Sequence, residues 1–193
     1  MILAISPPSQ PISSLFEPVM SHHPSHLPVE ELLADCEVKR TRGSGPGGQH
    51  RNKVETAVVI RHKPTDILGQ ASERRSQHAN RTVAIFRLRI NLAIGFRTEP
   101  KLIDVPSSLW TNRRTNNSTQ SGGKIVIGSE HDDFPALLAE ALDFVFAEDH
   151  DVAAAAKRLS ISNSQLLKLI RMEPMAWQRL NEERTKLGLH KLK

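Results

Sequence analysis

Apolar residues recur with two different periods along this chain of 193 residues. Short β-branched or alternating runs fall between residues 37 and 71, whereas apolar residues recur every three or four positions in most of the chain that follows. A period of about two is typical of strands, and a period of about 3.6 is typical of helices. The pattern predicts an α+β fold, in which a small mixed or antiparallel sheet with one packed helix precedes a small all-helical module.

Three strands are expected in the first half of the chain. The first spans residues 37–42, and the strongest strand of the sequence spans residues 55–62. A turn at residues 63–66, with Pro64 and Thr65 in it, then folds the chain back into a third strand over residues 67–71. The second and third strands therefore form a hairpin.

A helix is expected to follow this hairpin. Residues 72–76 contain its candidate N-caps, and a row of apolar residues at helical spacing is expected to pack on the sheet. This row consists of Ala79, Val83, Phe86, Ile90 and Ile94. The opposite face carries arginines, which form either a solvated cationic face or a track for phosphate groups. These arginines are Arg75, Arg81, Arg87 and Arg89.

The next segment has less pattern. Residues 95–123 show no clear period, and Trp110 is expected to anchor the start of a long polar loop there. A short strand over residues 124–128 is expected to join the same sheet as the first three strands. An apolar helix then opens at Asp133, and a final helix runs from residue 174 to residue 187.

Between these two helices, residues 152–170 predict a helix, a tight turn and a second helix. The pattern is similar to a helix-turn-helix, whose second helix presents polar residues near its start to nucleic acid. In this chain those residues are Ser162, Ser164, Gln165 and Lys168. A plain helical corner is an equally good interpretation, because short helical hairpins are common.

A glycine-rich stretch separates the first two strands. We call residues 43–53 the tip segment; it holds four of the ten glycines of the chain and lies next to the cationic residues 39–42. Glycines allow a backbone to approach a partner closely, and the flanking cations favour a phosphate-rich partner. An ordinary solvent-exposed loop is the alternative interpretation.

Two common phosphate-binding glycine loops do not fit the tip segment. Gly43, Gly45 and Gly48 match G-x-G-x-x-G, but a strand-like run follows where a dinucleotide-binding fold needs a helix. The outer spacing of a P-loop is also present, but Gln49 and His50 stand where a P-loop has lysine and serine or threonine. Neither a dinucleotide nor a nucleoside triphosphate is therefore expected here.

Composition adds to this picture. A formal net charge of +5 favours a polyanionic partner, whereas 4% aromatic residues and the absence of tyrosine argue against a base-stacking single-strand binder. The single cysteine, Cys36, excludes an internal disulfide and a cysteine metal cluster. No apolar run reaches the roughly 18 residues of a membrane span. We expect a cytoplasmic protein.

The domain organisation follows from shifts in composition. Residues 1–28 are rich in proline, serine and histidine, which favours a disordered tail over a histidine metal site. We expect a domain over residues 29–128 that contains the sheet and the tip segment, and a helical module over residues 129–193. No metal or other cofactor is expected.

The tip segment resembles a specific family motif. The run from Ser44 to Lys53 fits S-G-x-G-G-Q-x-x-N-K, and residues 75–77, which read Arg-Ser-Gln, follow at the helix start ahead of Asn80. This combination is similar to the peptidyl-tRNA hydrolysis domain, or GGQ domain, of bacterial-type class I peptide chain release factors. The resemblance covers roughly residues 36–95 and implies an exposed GGQ loop.

The resemblance implies hydrolysis of the ester between a nascent peptide and tRNA in the ribosomal peptidyl-transferase centre. Gly47 and Gly48 would permit a turn that aims the backbone N–H of Gln49 at the developing oxyanion, while the Gln49 side chain would admit only water. The remaining site residues implied would hold the tip against RNA. They are Arg42, His50, Arg51, Asn52 and Lys53 at the tip, and Arg75, Ser76 and Gln77 at the helix start.

Partners are implied in the same way. They are large-subunit ribosomal RNA, the P-site peptidyl-tRNA and a methyltransferase that modifies Gln49. No side-chain triad is expected, because the chain has no G-x-S-x-G string and no motif places a histidine as general base.

The chain also departs from codon-reading release factors. No segment is long enough for the further domains of such a factor, so the chain is most similar to stand-alone rescue hydrolases, which release peptides from stalled ribosomes without reading a codon. Rescue hydrolases usually end in a dense basic tail, whereas residues 187–193 are only mildly basic. Either the helical module anchors the protein on the ribosome, or the substrate is another stalled complex.

Two other functions stay open. The chain could be an RNA- or DNA-binding protein that keeps the GGQ fold for docking and uses the helix-turn-helix for specificity. Hydrolysis of free peptidyl-tRNA is less favoured, because the tip segment carries no general base or metal of its own.

Overall fold

Three strands form an antiparallel sheet in the first half of the molecule. The computed structural model describes residues 23–41, 56–98, 105–115 and 123–193. The strands are β1 (Cys36–Thr41), β2 (Ala57–His62) and β3 (Leu68–Ala71), with β2 in the middle. The predicted hairpin and all three strands are confirmed to within two residues at each end.

Helices make up most of the remaining described chain. The α-helices are α1 (Val29–Ala34), α2 (Gln77–Gly95), α3 (Ser108–Arg113), α4 (Phe134–Ala147), α5 (Val152–Arg158), α6 (Asn163–Arg171) and α7 (Pro174–Lys186). A 3-10 turn over Pro24–His26 precedes α1. The predicted α+β class is confirmed, as are the helices expected in the last third of the chain.

Local signals set several helix boundaries. The Ser76 hydroxyl accepts from the N–H of Ala79, and the Asp151 carboxylate accepts from two N–H groups at the start of α5. Such caps satisfy N–H groups that have no partner within the helix. After α7 the chain passes Gly188 at φ +72°, a left-handed conformation that glycine adopts without a steric cost.

The long helix α2 lies between two hydrophobic cores. Ala84, Leu88 and Leu92, spaced four residues apart, are buried against the sheet. On another face Ile90 and Ala93 are buried against α4 and the helices that follow it. The predicted division of the chain at residue 128 stays a prediction, and α2 contributes to the cores on both sides of it.

This arrangement corrects the predicted sheet-facing row of α2. Val83 does pack against the sheet core, but Phe86, Ile90 and Ile94 pack against the helical core. The prediction was wrong for these three residues because helical periodicity locates an apolar face without telling which layer covers it.

Residue 69 has to be glycine for α2 to lie as close to β3 as it does. A Cβ on Gly69 would come within 2.3 Å of the Ala84 carbonyl oxygen and 2.5 Å of the Leu88 nitrogen. Both neighbours are helix backbone, which cannot move away as a flexible side chain can.

The strand expected at residues 124–128 does not join the main sheet. Instead β4 (Arg114–Thr115) and β5 (Lys124–Ile125) form a separate antiparallel pair. Gly123, just before β5, makes a parallel bridge with Ile161, and its N–H donates to the Ser160 carbonyl at 3.0 Å. The prediction was wrong because a short apolar run does not identify its pairing partner.

Trp110 anchors its segment as expected, but the residues around it form α3 and β4 rather than the start of a loop. Trp110 is fully buried within α3, and its indole N–H donates to the Leu159 carbonyl at 3.0 Å. The polar residues 116–122 lie outside the described residues. Trp110 therefore anchors α3 and the following β-pair to the helical core.

The end of the predicted disordered tail is folded. His23 and Ser25 are buried, the Ser25 hydroxyl donates to the Arg89 carbonyl at 2.8 Å, and the Arg89 guanidinium donates to the Ser25 carbonyl. Residues 23–28 thus pack on α2, while residues 1–22 lie outside the described ranges. Among the helices that the structure describes, none is long and apolar enough to cross a membrane.

Candidate functional site

The tip segment is attached to the sheet at one end of a strand pair. Thr41, the last residue of β1, pairs directly with Ala57, the first residue of β2. Both chain ends of the connection therefore start from adjacent, hydrogen-bonded positions. The implied catalytic residues Gly47, Gly48 and Gln49, and the implied RNA contacts Arg42, His50, Arg51, Asn52 and Lys53, lie outside the described residues.

A buried asparagine holds the root of this connection. Asn80 in α2 has no solvent exposure, and its side-chain NH₂ donates to the Thr56 carbonyl at 2.7 Å and to the Arg74 carbonyl at 2.9 Å. Its side-chain oxygen accepts from the Arg74 N–H at 2.8 Å. Thr56 immediately precedes β2, so Asn80 ties the point where the tip connection re-enters the sheet to the start of α2.

The implied trio at the helix start lies close to this clamp. Ser76 is the N-cap of α2, and Gln77 is its first residue, three positions before Asn80. Arg75 is exposed. Because the Ser76 hydroxyl caps the helix, its position is explained by support of the helix start, and RNA contact by Arg75 and Gln77 stays a prediction.

The predicted cationic track on α2 is only partly available. Arg87 pairs with Glu73 and donates to the Gln70 carbonyl, and Arg89 donates to the carbonyls of Ser25 and Asp132. Burial lowers the pKa of Arg89, and this guanidinium joins elements of the fold. Arg87 and Arg89 thus contact other parts of the chain, and the phosphate track, one of the two interpretations of these arginines, stays a prediction. Arg75 and Arg81 remain exposed.

The histidine of strand β2 is not placed to serve the tip as a base. His62 has no solvent exposure, and its Nδ1 lies 2.8 Å from the Thr65 hydroxyl. It stands at the end of β2 remote from Ala57, which at strand geometry is about 16 Å away. Burial lowers the pKa of His62. Its contacts are those of a residue that holds the β2–β3 turn.

The described ranges contain neither a reactive thiol nor a metal site. The Cys36 thiol donates to the Leu32 carbonyl at 3.1 Å, and burial, with the nearby Asp35 charge, raises its pKa to about 11. A thiol with so high a pKa is a poor nucleophile at neutral pH. No group of three or more histidine, cysteine, aspartate or glutamate residues in the described ranges is arranged to hold a metal ion.

The helix-turn-helix pattern folds as predicted. Helices α5 and α6 are joined by a tight turn in which Ser160 has φ +55°, a position where helix-turn-helix motifs often have glycine. Ser162 is the N-cap of α6, so its hydroxyl accepts from the Gln165 N–H. Ser164 and Lys168 are exposed, whereas Gln165 lies at the side of the helix and is half-buried.

Sequence reasoning missed two residues of these sites. Arg171 is exposed one turn beyond Lys168, and its guanidinium carbon lies 4.4 Å from the centre of the Trp177 ring. Helical spacing from Lys168 could have identified it. Asn80 stood in the family motif, but its partners Thr56 and Arg74 only become visible in three dimensions.

Comparison with known proteins identifies a family for the part of the chain that contains the sheet, α2 and the tip segment. An RF-1 domain matches residues 28–123. The chain belongs to the class I peptide chain release factor family.

Individual relatives match over a shorter stretch. The chain is 52% identical over 64 residues to peptide chain release factor 1 of Caldicellulosiruptor saccharolyticus, a match covering 33% of this chain and 18% of that protein. It is 44% identical over 66 residues to peptide chain release factor 1 of Xylella fastidiosa, which covers 34% of this chain and 18% of the relative. Peptide chain release factor PrfB1, chloroplastic, of Arabidopsis thaliana is 48% identical over 66 residues, 34% of this chain and 14% of that protein. The matches thus span less than a fifth of these relatives' length.

Proposed function

We propose that this protein hydrolyses the peptidyl-tRNA ester on the ribosome and does so without reading a codon. The observation that carries the proposal is the position of Gly47-Gly48-Gln49 in a connection whose two ends start from the paired residues Thr41 and Ala57. A connection rooted in this way can carry its glycines away from the sheet into a partner. The RF-1 domain match supports a release factor-like role.

The proposed reaction uses the backbone of the tip. Water attacks the ester carbonyl carbon, the bond to the ribose oxygen breaks, and a peptide acid and a tRNA hydroxyl form. The N–H of Gln49 donates to the oxyanion that develops during the attack, which is a large source of transition-state stabilisation in acyl transfer. Gly47 and Gly48 let the backbone adopt the required turn, and the Gln49 side chain excludes nucleophiles larger than water.

The ribosome supplies the surroundings that the tip lacks. In the proposal, Arg42, His50, Arg51, Asn52 and Lys53 contact large-subunit RNA, and Arg75 and Gln77 contact RNA beside the root of the tip. The P-site peptidyl-tRNA is the substrate. A glutamine methyltransferase acting on Gln49 is a further proposed partner, and the proposed place of action is the cytoplasm.

The helical half of the molecule supports a codon-independent role. The segment after the RF-1 match folds as helices α4 to α7 around a core that also includes Ile90 and Ala93 of α2. In the proposal this helical module attaches the protein to stalled ribosomes in place of codon recognition.

The test is peptide release from ribosomes that hold peptidyl-tRNA on an mRNA truncated in the P site. We expect the wild-type protein to release peptide there and not on intact mRNA with a stop codon in the A site. Gly48→Ala should abolish release. The matched control is Gly128→Ala, because a Cβ on Gly128 meets no atom within 4 Å.

The outcomes separate the parts of the proposal. Release on the stop codon complex that equals release on the truncated mRNA would refute codon independence. Release by Gly48→Ala at the wild-type rate would refute the role of the tip.

A second candidate function is non-catalytic binding of RNA or DNA through the helix-turn-helix. The exposed residues Ser164, Lys168 and Arg171 on α6 favour it. Ribosome binding without any peptide release, together with sequence-specific duplex binding, would support this function instead.

A further inference from the structure

The β4–β5 pair and the helix-turn-helix form one surface. The Gly123 N–H donates to the Ser160 carbonyl, and Gly123 makes a parallel bridge with Ile161. Since the two segments run parallel at this bridge, the next residue on each side, Lys124 and Ser162, are also neighbours. Lys124 is exposed, so a cation of the β-pair stands beside the N-cap of α6.

The outer face of α6 continues this surface. Ser164, Lys168 and Arg171 are four and three residues apart, which places them on one face of the helix. The buried residues of the same helix, Leu166, Leu169 and Ile170, lie on the opposite face. The polar face therefore points away from the core, and all three of its residues are exposed.

The charge on both segments has a single sign. Residues 105–128 and residues 152–172 contain no aspartate or glutamate. Their cations are Arg113, Arg114 and Lys124 in the first segment, and Lys157, Arg158, Lys168 and Arg171 in the second. Arg113 pairs with Asp133 and Arg158 with Glu148. The other five cations make no ion pair with any described residue.

We propose that the face formed by Lys124, Ser164, Lys168 and Arg171 binds the phosphate backbone of double-helical RNA. The choice of RNA rests on the proposed ribosomal function. Short polar side chains and separated cations suit phosphate and 2′-hydroxyl contacts, which dominate recognition of RNA helices because their major groove is too deep and narrow for side chains. This surface anchors the protein on the ribosome while the tip segment reaches the ester.

The test compares charge reversals that are equal in size. Lys124→Glu and Lys168→Glu change the proposed surface, and Lys63→Glu makes the same charge change at the exposed β2–β3 turn. Each full-length variant is titrated with an RNA duplex of about 20 base pairs, and with DNA of the same sequence, at several salt concentrations. Peptide release is measured in parallel as a function of ribosome concentration.

We expect Lys124→Glu and Lys168→Glu each to bind the RNA duplex about tenfold more weakly than Lys63→Glu does. The slope of log affinity against log salt should fall by about 0.9 for each phosphate that a variant no longer neutralises. In the release assay the KM for ribosomes should rise with kcat unchanged.

Two results would overturn the proposal. One is equal RNA affinity of the three variants. The other is a sequence-dependent preference of the wild-type protein for DNA over RNA. If the wild-type protein releases no peptide but Lys168→Glu still loses RNA binding, the RNA surface stands and the proposed hydrolase function fails.

Discussion

Replacement of Asn80 by alanine should destabilise the protein and disconnect the tip from its support. The change leaves the Thr56 carbonyl and both backbone groups of Arg74 without their side-chain partners. An unpaired buried polar group costs about 1–3 kcal/mol. Because Arg74 is exposed and water can reach its backbone, we expect a total loss of about 3 kcal/mol in the free energy of unfolding.

Asn91→Ala is the matched control, since it lies in the same helix. The Asn91 side chain is exposed and donates one hydrogen bond, to the Leu68 carbonyl at 2.7 Å. Loss of such a bond costs about 0.5–1 kcal/mol, and both variants gain equally from the higher helix propensity of alanine. Urea unfolding of the two variants should therefore differ by about 2 kcal/mol.

Under the proposed function, peptide release gives a second readout of the Asn80 clamp. At a temperature where both variants are fully folded, Asn80→Ala should lower kcat while ribosome affinity stays near that of Asn91→Ala. We expect kcat to fall without a change in ribosome affinity because Asn80 holds the root of the tip, while Asn80 itself is buried and cannot contact the ribosome. Equal stability and equal kcat in the two variants would refute the clamp.

Two further predictions concern the fold. Gly69→Ala should destabilise by about 3 kcal/mol or more, because the added Cβ meets the backbone of α2, whereas Gly128→Ala should have little effect in the same urea titration. The second prediction concerns His23, whose pKa is lowered well below 6.5 by burial and by the nearby Arg97 charge. Unfolding lets His23 bind a proton below about pH 6.5, so its contribution to stability is present above that pH and is lost as the pH falls further. Between pH 7 and pH 5 the urea midpoint of the wild-type protein should therefore drop more than that of His23→Gln.

These two predictions are refuted by different results. Equal unfolding midpoints for Gly69→Ala and Gly128→Ala would mean that α2 moves away from β3 at little cost. Parallel pH profiles for the wild-type protein and His23→Gln would mean that His23 binds a proton as readily in the folded protein as in the unfolded chain. The 3-10 turn at residues 24–26 would then have to adapt to the charge.

Most element boundaries could be predicted because their signals are local. Ser76 and Ser162 cap helices through hydroxyl groups that lie within three residues of their partners, and β2 is marked by a run of β-branched residues at positions 58–60. The tip segment was equally visible, because its glycines and cations are contiguous in the chain. The helix-turn-helix could be predicted for the same reason.

The predictions that were wrong concern contacts between residues that are distant in sequence. The residue before β5 pairs with the turn between α5 and α6 rather than with the first sheet. Periodicity showed that α2 has apolar residues but could not show that two layers cover it. Each of these facts depends on which surface is nearest after folding.

The order of residues thus decided the elements, the family and the location of the implied catalytic string, because each depends on neighbours within a few positions. Tertiary structure alone decided that Asn80 ties the root of the tip to α2, and that Gly123, next to Lys124, pairs with Ile161 beside the start of α6. The physical reason is that buried hydrogen bonds and bridges between strands form between whichever groups packing brings close together. Local sequence patterns do not show which distant residues come close in the folded chain.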